Sequence, residues 1–420
     1  MHESFLHYIW KYRLLKNRLT TIDHQELKVI DTGTHNNDGG PDFLTSQVKI
    51  GNTLWAGNVE IHVNASDWIK HQHHKDKAYS NVILHVVYNN DKPLPAPNNN
   101  IPTLEIRNNI SIELYNTYIN LINNKQWVPC TGLANSVDSF IWNSWKERLM
   151  IERLEHKSQD ISQLLQYHNN NWETSFYISL AKNFGLKVNA VPFELLAKSL
   201  PLKYLAKHKD SLLQIEALLF GQAGLLNNNF EDAYPKVLAL EYKHLRNKFS
   251  LSPIDPSLWK FLRLRPANFP TIRISQFAKL IYTSHKLFSY ILENPTAKQL
   301  HKLFHVKATE YWDTHYSFKS ESEFKNKYLG SSTINLILIN TIAPYIFYYG
   351  IAKNNYVYKE QAIDLLQTLP AENNNIIRHW HAIGITSTNA FQSQALIELK
   401  KNYCTPKKCL SCPIGKQIIK

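Results

Sequence analysis

The chain has 420 residues, 44% of them hydrophobic, which is enough to bury a sizeable core and excludes global disorder; its length points to two domains. The formal charge of +13 is unevenly spread: residues 1–130 hold twelve Lys and Arg against twelve Asp and Glu, and the remainder hold thirty-five against twenty-two. Such a basic excess attracts polyanions by releasing counterions from phosphates, although runs such as Asn98–Asn100 and Asn227–Asn229 also fit the Lys-inflating bias of an AT-rich genome.

Met1 to Leu15 carries charges and histidines throughout, which is not the pattern of a signal peptide, and Phe5, Ile9 and Tyr12 recur at helical spacing. Strands are expected at Leu27–Ile30, Phe43–Ile50 and Leu54–Val63, with Gly and Asn between them. Ser66 can cap a helix over Asp67–Tyr79. Val82–Tyr88 is an almost unbroken apolar run, the mark of a strand buried on both faces, and a short strand Thr103–Ile106 follows the prolines 93, 95 and 97. The helix between Val63 and Val82 then crosses over between parallel strands.

From Ser111 the pattern changes to long helices: one holds Trp145, Leu149, Glu152 and Leu154, and others cover Leu212–Leu225, Ser275–Leu292 and Ala362–Leu369. Thr333–Gly350 is the most apolar stretch, but it contains Asn335, Asn340 and Pro344 and reads as a buried helix rather than a membrane span. The expected organisation is α/β plus all-α: a small mixed-sheet domain at 1–127 and a basic helical domain at 128–420 that ends in a cysteine cluster. A cytoplasmic location is expected.

Two carboxylates carry the chemistry. Asp42 follows Pro41 at the start of one strand, Glu60 lies on the next, and His62 comes two residues later. Alternation puts Val59, Ile61 and Val63 on one face and Glu60 and His62 on the other. Hairpin pairing can bring Asp42 beside Glu60, and such hard oxygen ligands suit Mg²⁺ or Mn²⁺ with a phosphate oxygen. The candidate catalytic residues are Asp42 and Glu60 as metal ligands, and His62 to orient or deprotonate the attacking water.

The order helix, three strands, helix, strand, with Pro41-Asp42 and then Glu60-x-His62, resembles the PD-(D/E)XK nuclease superfamily over about residues 1–107, with His62 where that superfamily has lysine. The resemblance implies a restriction-endonuclease-like sheet domain and a metal-dependent phosphodiester hydrolase acting on nucleic acid, DNA foremost. Glu3 matches an acidic residue that many members carry in the first helix, and Gln72 with Tyr79 matches a feature of the following helix. The chain also resembles, over nearly its full length, a bacterial family of unknown function. The shared phrases are Gly40-Pro41-Asp42-Phe43, Gly57-Asn58-Val59-Glu60-Ile61-His62, Ser66-Asp67-Trp68, Asn81-Val82-Ile83-Leu84-His85-Val86-Val87 and the terminal cysteines.

Histidines offer a different site. His62, His71, His73, His74 and His85 fall within twenty-four residues, five of the chain's nineteen. In the expected helix Asp67, His71 and His74 share a face, and His85 can point the same way as His62. Zn²⁺ held by two or three of these nitrogens with Asp67 or Asp76 would make a zinc hydrolase; a solvated helix face with one hydrogen-bonded core histidine is the plainer alternative.

Cys404-x4-Cys409-x2-Cys412 supplies three thiols at ligand spacing, and Cys130 can provide a fourth, for Zn²⁺ or a [4Fe–4S] cluster. Arg263, Arg265 and Arg273, set among apolar residues and prolines, and Lys407 and Lys408 in the cysteine loop are candidate phosphate contacts; internal pairing of the arginines is the alternative. No Walker A loop, Rossmann fingerprint or nucleophile elbow occurs. Three functions stay open: a nuclease, a non-catalytic nucleic-acid-binding protein on a degenerate nuclease fold, and a zinc hydrolase.

Overall fold

A computed structural model describes residues 1–420 apart from Asn37, Asn228 and His285. The chain forms two compact units, Met1–Trp142 with Lys400–Lys420, and Asn143–Leu399. A mixed sheet dominates the first and helices the second, the class expected. The division itself differs from a cut at 127/128. The Trp142 indole donates to the Ala134 carbonyl at 3.0 Å, and the Lys400 ammonium to the Trp127 carbonyl at 2.6 Å, so both flanks of the helical unit are tied into the sheet unit. The cysteine tail therefore belongs with the sheet, not with the helices.

In the sheet unit, α1 (Glu3–Lys11) precedes β1 (Leu19–Thr20), β2 (Glu26–Asp31), β3 (Thr34–His35), β4 (Phe43–Ile50) and β5 (Thr53–Asn64). After α2 (Asp67–Lys70) come β6 (Val82–Asn89), β7 (Thr103–Glu105) and α3 (Ile112–Asn123). The strand order is β1-β2-β4-β5-β6-β7, with β3 also paired to β4. β2, β4 and β5 run antiparallel, and β5, β6 and β7 parallel, so the segment after β5 is the expected crossover. Phe5, Leu6, Ile9 and Trp10 of α1 are buried, and the Trp10 indole donates to the Thr32 carbonyl at 3.2 Å. Val82 to Val87 are buried without alternation, as a strand covered on both faces requires.

Two local features aim the site residues. The β4–β5 register shifts between Phe43 and Ser46, where Thr45 has φ 56°; this bulge lies just after Asp42 and turns the chain end towards β5. Gly57 has no room for a side chain: a Cβ there would meet Ile83 Cγ2 at 2.4 Å and the Asn81 carbonyl at 2.7 Å. Only glycine lets β5 run this close to the chain entering β6.

The expected helix over Asp67–Tyr79 breaks. It stops at Lys70, Gln72 takes φ 59°, and short 3₁₀ turns follow at His73–Lys75 and Lys77–Tyr79. Between Trp68 and Tyr79, both buried, the residues offer no apolar stripe to bury against the sheet, and the Asp76 carboxylate accepts the Ala78 N–H at 2.9 Å to start a new turn. The shared face of Asp67, His71 and His74 therefore does not exist, nor does that of Gln72 and Tyr79.

In the helical unit, Leu212–Gln222 and Pro270–Thr283 are almost wholly buried. The expected helix at Ser275–Leu292 is two, Pro270–Thr283 and Leu287–Glu293. Ser331–Ala352 is long and apolar enough to cross a membrane by length and composition, and 67% of its most apolar window is buried within the protein. A π turn occupies Leu338–Ile342 in its middle.

Candidate metal centre

β5 presents alternate faces as its sequence dictates: Val59 and Ile61 are buried on one side, and Glu60 and His62, 4% and 1% exposed, on the other. β4 delivers Asp42 to the same place. Its backbone N–H donates to Glu60 Oε2 at 3.1 Å, and its Oδ2 accepts the Ile61 N–H at 2.9 Å, a reciprocal pair that locks the two carboxylates together. His7, one turn after Glu3 on α1, brings Nε2 to 3.3 Å from Asp42 Oδ2.

The broken crossover supplies the other side. Because the helix ends at Lys70, His71 and His73 fold back over the sheet. His71 Nδ1 lies 3.2 Å from His62 Nε2, and Glu60 Oε1 lies 3.1 Å from His73 Nε2 and 3.4 Å from His62 Nε2. One nitrogen from each of His62, His71 and His73 falls within 4.8 Å of the others. In a tetrahedral site with bonds of about 2.0–2.1 Å, donor atoms stand about 3.3–3.4 Å apart. Three separations, His71–His62, Glu60–His73 and Glu60–His62, match that edge. His73 Nε2, although close to Glu60 Oε1, makes no aligned hydrogen bond.

Surrounding groups hold the rings. His62 Nδ1 and His85 Nε2 share a 2.9 Å hydrogen bond from strand to parallel strand, where Glu60 pairs with His85 in register. If Nδ1–H donates to His85, the His62 Nε2 lone pair is left to face Glu60, as outer partners of metal-bound imidazoles arrange it. Tyr79 stacks on His73 with ring centres 3.8 Å apart, and Trp68 sets its edge against His85 and His73 at 5.1 and 5.5 Å.

Burial, then the neighbouring His85, His73 and His71, pushes the His62 imidazole down to about 2; burial and His73 push His85 down to about 3. Both are neutral rings with lone pairs to give. Burial raises Glu60 against the lowering pull of His73, and burial likewise raises Glu3, which senses His7, Asp42 and His71. At His7 burial works downward but is outweighed by the nearby Asp42 carboxylate, so its imidazole holds a proton more tightly than usual.

Of the residues singled out from the sequence, Asp42, Glu60, His62, His71 and His85 come together here, with Glu3 at the margin. Gln72 does not: it is exposed at its left-handed turn. Asp67 is spent on the Asn64 N–H and the Lys70 ammonium, at 2.9 and 2.6 Å, and Asp76 on its turn. His7 was missed, and His73 was expected only as one of several histidines that could share a zinc ion. His7 had a readable signal, four residues after Glu3 on a helix face, whereas His73 faced away on any continuous helix.

Among the phosphate candidates, Arg263, Arg265 and Lys408 are exposed. Arg273 is not. It is 3% exposed and its guanidinium donates to Asn268 Oδ1, Gln276 Oε1 and Thr333 Oγ1 at 2.6, 3.1 and 2.9 Å, so it braces the helical core. Lys407 spends its ammonium on the carbonyls of Ile122 and Asn124.

A family model described as Protein of unknown function (DUF2851) matches residues 3–375, a span that takes in every histidine and carboxylate of this site and stops short of the terminal cysteines. No curated protein and no solved structure matches the chain. With the match covering nearly the whole chain, the protein belongs to the DUF2851 family.

Proposed function

We propose that the protein is a metal-dependent hydrolase of phosphodiesters, nuclease-like in layout, whose metal is held by Glu60, His62, His71 and His73. The observation that carries this reading is three imidazole nitrogens within 4.8 Å of one another, two of them, on His62 and His73, beside one oxygen of the buried Glu60. A set so rich in nitrogen suits Zn²⁺ or another borderline ion better than Mg²⁺. Such an ion, when bound, supplies Lewis acidity and a water of lowered pKa.

The role first expected of His62 changes. With Nδ1 engaged by His85 and Nε2 among the donor atoms, it is a ligand rather than the base that handles water. The proton-handling pair is Asp42 with His7, which lies beside Glu60 but outside the donor set. Support for a phosphodiester substrate comes from the order of elements around Pro41-Asp42 and Glu60, and from the chain's charge of +13. Arg263, Arg265 and Lys408 are the side chains free to meet phosphates.

The test combines metal analysis with cleavage of plasmid and single-stranded DNA in Zn²⁺, Mn²⁺ or Mg²⁺. Wild type should retain metal that His73→Ala loses, and cleavage should vanish in Glu60→Ala. Equal cleavage by wild type and Glu60→Ala removes the assignment. The nitrogen-rich donor set also favours a second reading, a zinc hydrolase of small esters or amides; intact DNA with Glu60-dependent hydrolysis of a chromogenic ester would select it.

A further inference from the structure

Four cysteines lie apart from the histidine site, and the chain makes an effort to gather them. Lys400–Cys404 closes a π turn, Cys409–Ser411 a 3₁₀ turn, and Cys412 leads into the helix Pro413–Ile419. Backbone bonds fold the loop on itself: the N–H of Lys407 donates to the Cys404 carbonyl at 3.2 Å, and that of Cys412 to the Cys409 carbonyl at 3.3 Å. The terminal helix presses on this loop through Gly415, where a Cβ would stand 2.2 Å from the Cys409 carbonyl. Lysines then moor the loop to the segment ahead of Cys130: Lys400 to the Trp127 carbonyl, and Lys407 to those of Ile122 and Asn124.

All four cysteines are buried, 8–9% exposed, in the same unit. The Asn124 side chain, whose own backbone carbonyl accepts Lys407, donates to the Pro129 carbonyl at 2.9 Å, so the cysteine loop is moored to the residue just before Cys130. Ordinary packing of small apolar residues gives no reason for four thiols from two distant segments to converge.

We propose that Cys130, Cys404, Cys409 and Cys412 form one tetrathiolate site for a thiophilic metal centre, a single zinc ion or an iron–sulfur cluster, which clasps residues 400–420 to the sheet unit. The site stands independently of the histidine cluster and of the hydrolase reading. Its ligands come from two segments separated by the whole helical unit, so the centre is a fastener, and the exposed Lys401 and Lys408 leave the loop with a basic rim.

The test uses full-length protein purified without oxygen and, in parallel, reconstituted with zinc or with iron and sulfide. Zinc without colour identifies the ion; iron with acid-labile sulfide and a brown absorption identifies the cluster. Either should be lost in Cys130→Ser and in Cys409→Ser and kept in His73→Ala. In wild type, iodoacetamide should label none of the four cysteines until the metal is stripped, and then all four, a readout that needs no variant to fold. Retention of the metal by Cys130→Ser, or labelling at the same rate before and after stripping, overturns the proposal.

Discussion

The two units bury polar groups for different ends. In the helical unit buried ionisable groups bond across the core, with Arg273 Nε and Asp313 Oδ1 left without a partner: Glu216 accepts from Ser275, Tyr234 and Thr309, Arg273 donates to Asn268, Gln276 and Thr333, and Lys327 donates to the carbonyls of Asp313 and Lys325. In the sheet unit the buried histidines face mainly one another and a carboxylate, and His73 Nε2, His74 Nδ1 and His85 Nδ1 have no hydrogen-bond partner. Satisfied buried charge is what a core needs; lone pairs converging on a common point are what a ligand needs. What distinguishes the sheet unit is that its imidazoles cluster: one nitrogen from each of His62, His71 and His73 lies within 4.8 Å of the others.

The sharpest way to break this contrast is to remove a donor from the cluster. His73→Ala or Glu60→Ala should lower metal-dependent cleavage by roughly 10³-fold, the order expected when several kcal/mol of Lewis-acid stabilisation is lost, with little change in thermal midpoint. Initial rates and calorimetry on the same preparation check it. A large fall in midpoint with unchanged rate would place these groups with the merely structural ones.

In the helical unit the lever is pH. Burial raises Glu216 from 4.5 to about 7, so the folded state keeps a proton that the unfolded chain has released. Its contribution is therefore fully present below about 4.5 and is lost as pH rises through about 7, a change of up to roughly 3 kcal/mol. Urea unfolding at pH 5 and pH 8 should show this loss in wild type, and Glu216→Gln should lack that component.

A third substitution tests whether backbone approach, and not only side chains, builds the sheet site. Gly57→Ala forces a Cβ against Ile83 and the Asn81 carbonyl and should cost about 1–3 kcal/mol in urea unfolding. The smallest effect belongs to Gln72→Ala: within about 0.5 kcal/mol of wild type in stability, and unchanged in cleavage, since the side chain points to solvent.

Much of the sheet unit was legible in the sequence because strand alternation is a local property. Glu60 and His62 share a face whatever the rest of the chain does, and the unbroken apolar run at Val82–Val87 marks a covered parallel strand that carries His85 to them. His71 and His73 were harder. Their placement depends on a helix failing, and that failure comes from the lack of an apolar stripe between Trp68 and Tyr79 and from Ser66, the expected cap, making no capping hydrogen bond. Cys130 lies outside the spacing of the tail and could be named only as a possible fourth cysteine, because what moors the cysteine loop beside it is the packing of segments some 280 residues apart. Arg273 shows the reverse error: phosphate-binding chemistry read from a sequence in which the residue is consumed by its own core.

The sheet unit is written in two pieces with residues 143–399 between them. During synthesis every strand of the sheet, Leu19 to Glu105, emerges early, while the unit is completed only when residues 400–420 follow. At roughly 5–20 residues per second that wait lasts on the order of tens of seconds. For that interval α3 and the segment leading to Cys130 lack the loop and helix that later pack on them, which makes the nascent chain the stage at which that thiol is most open to oxidation.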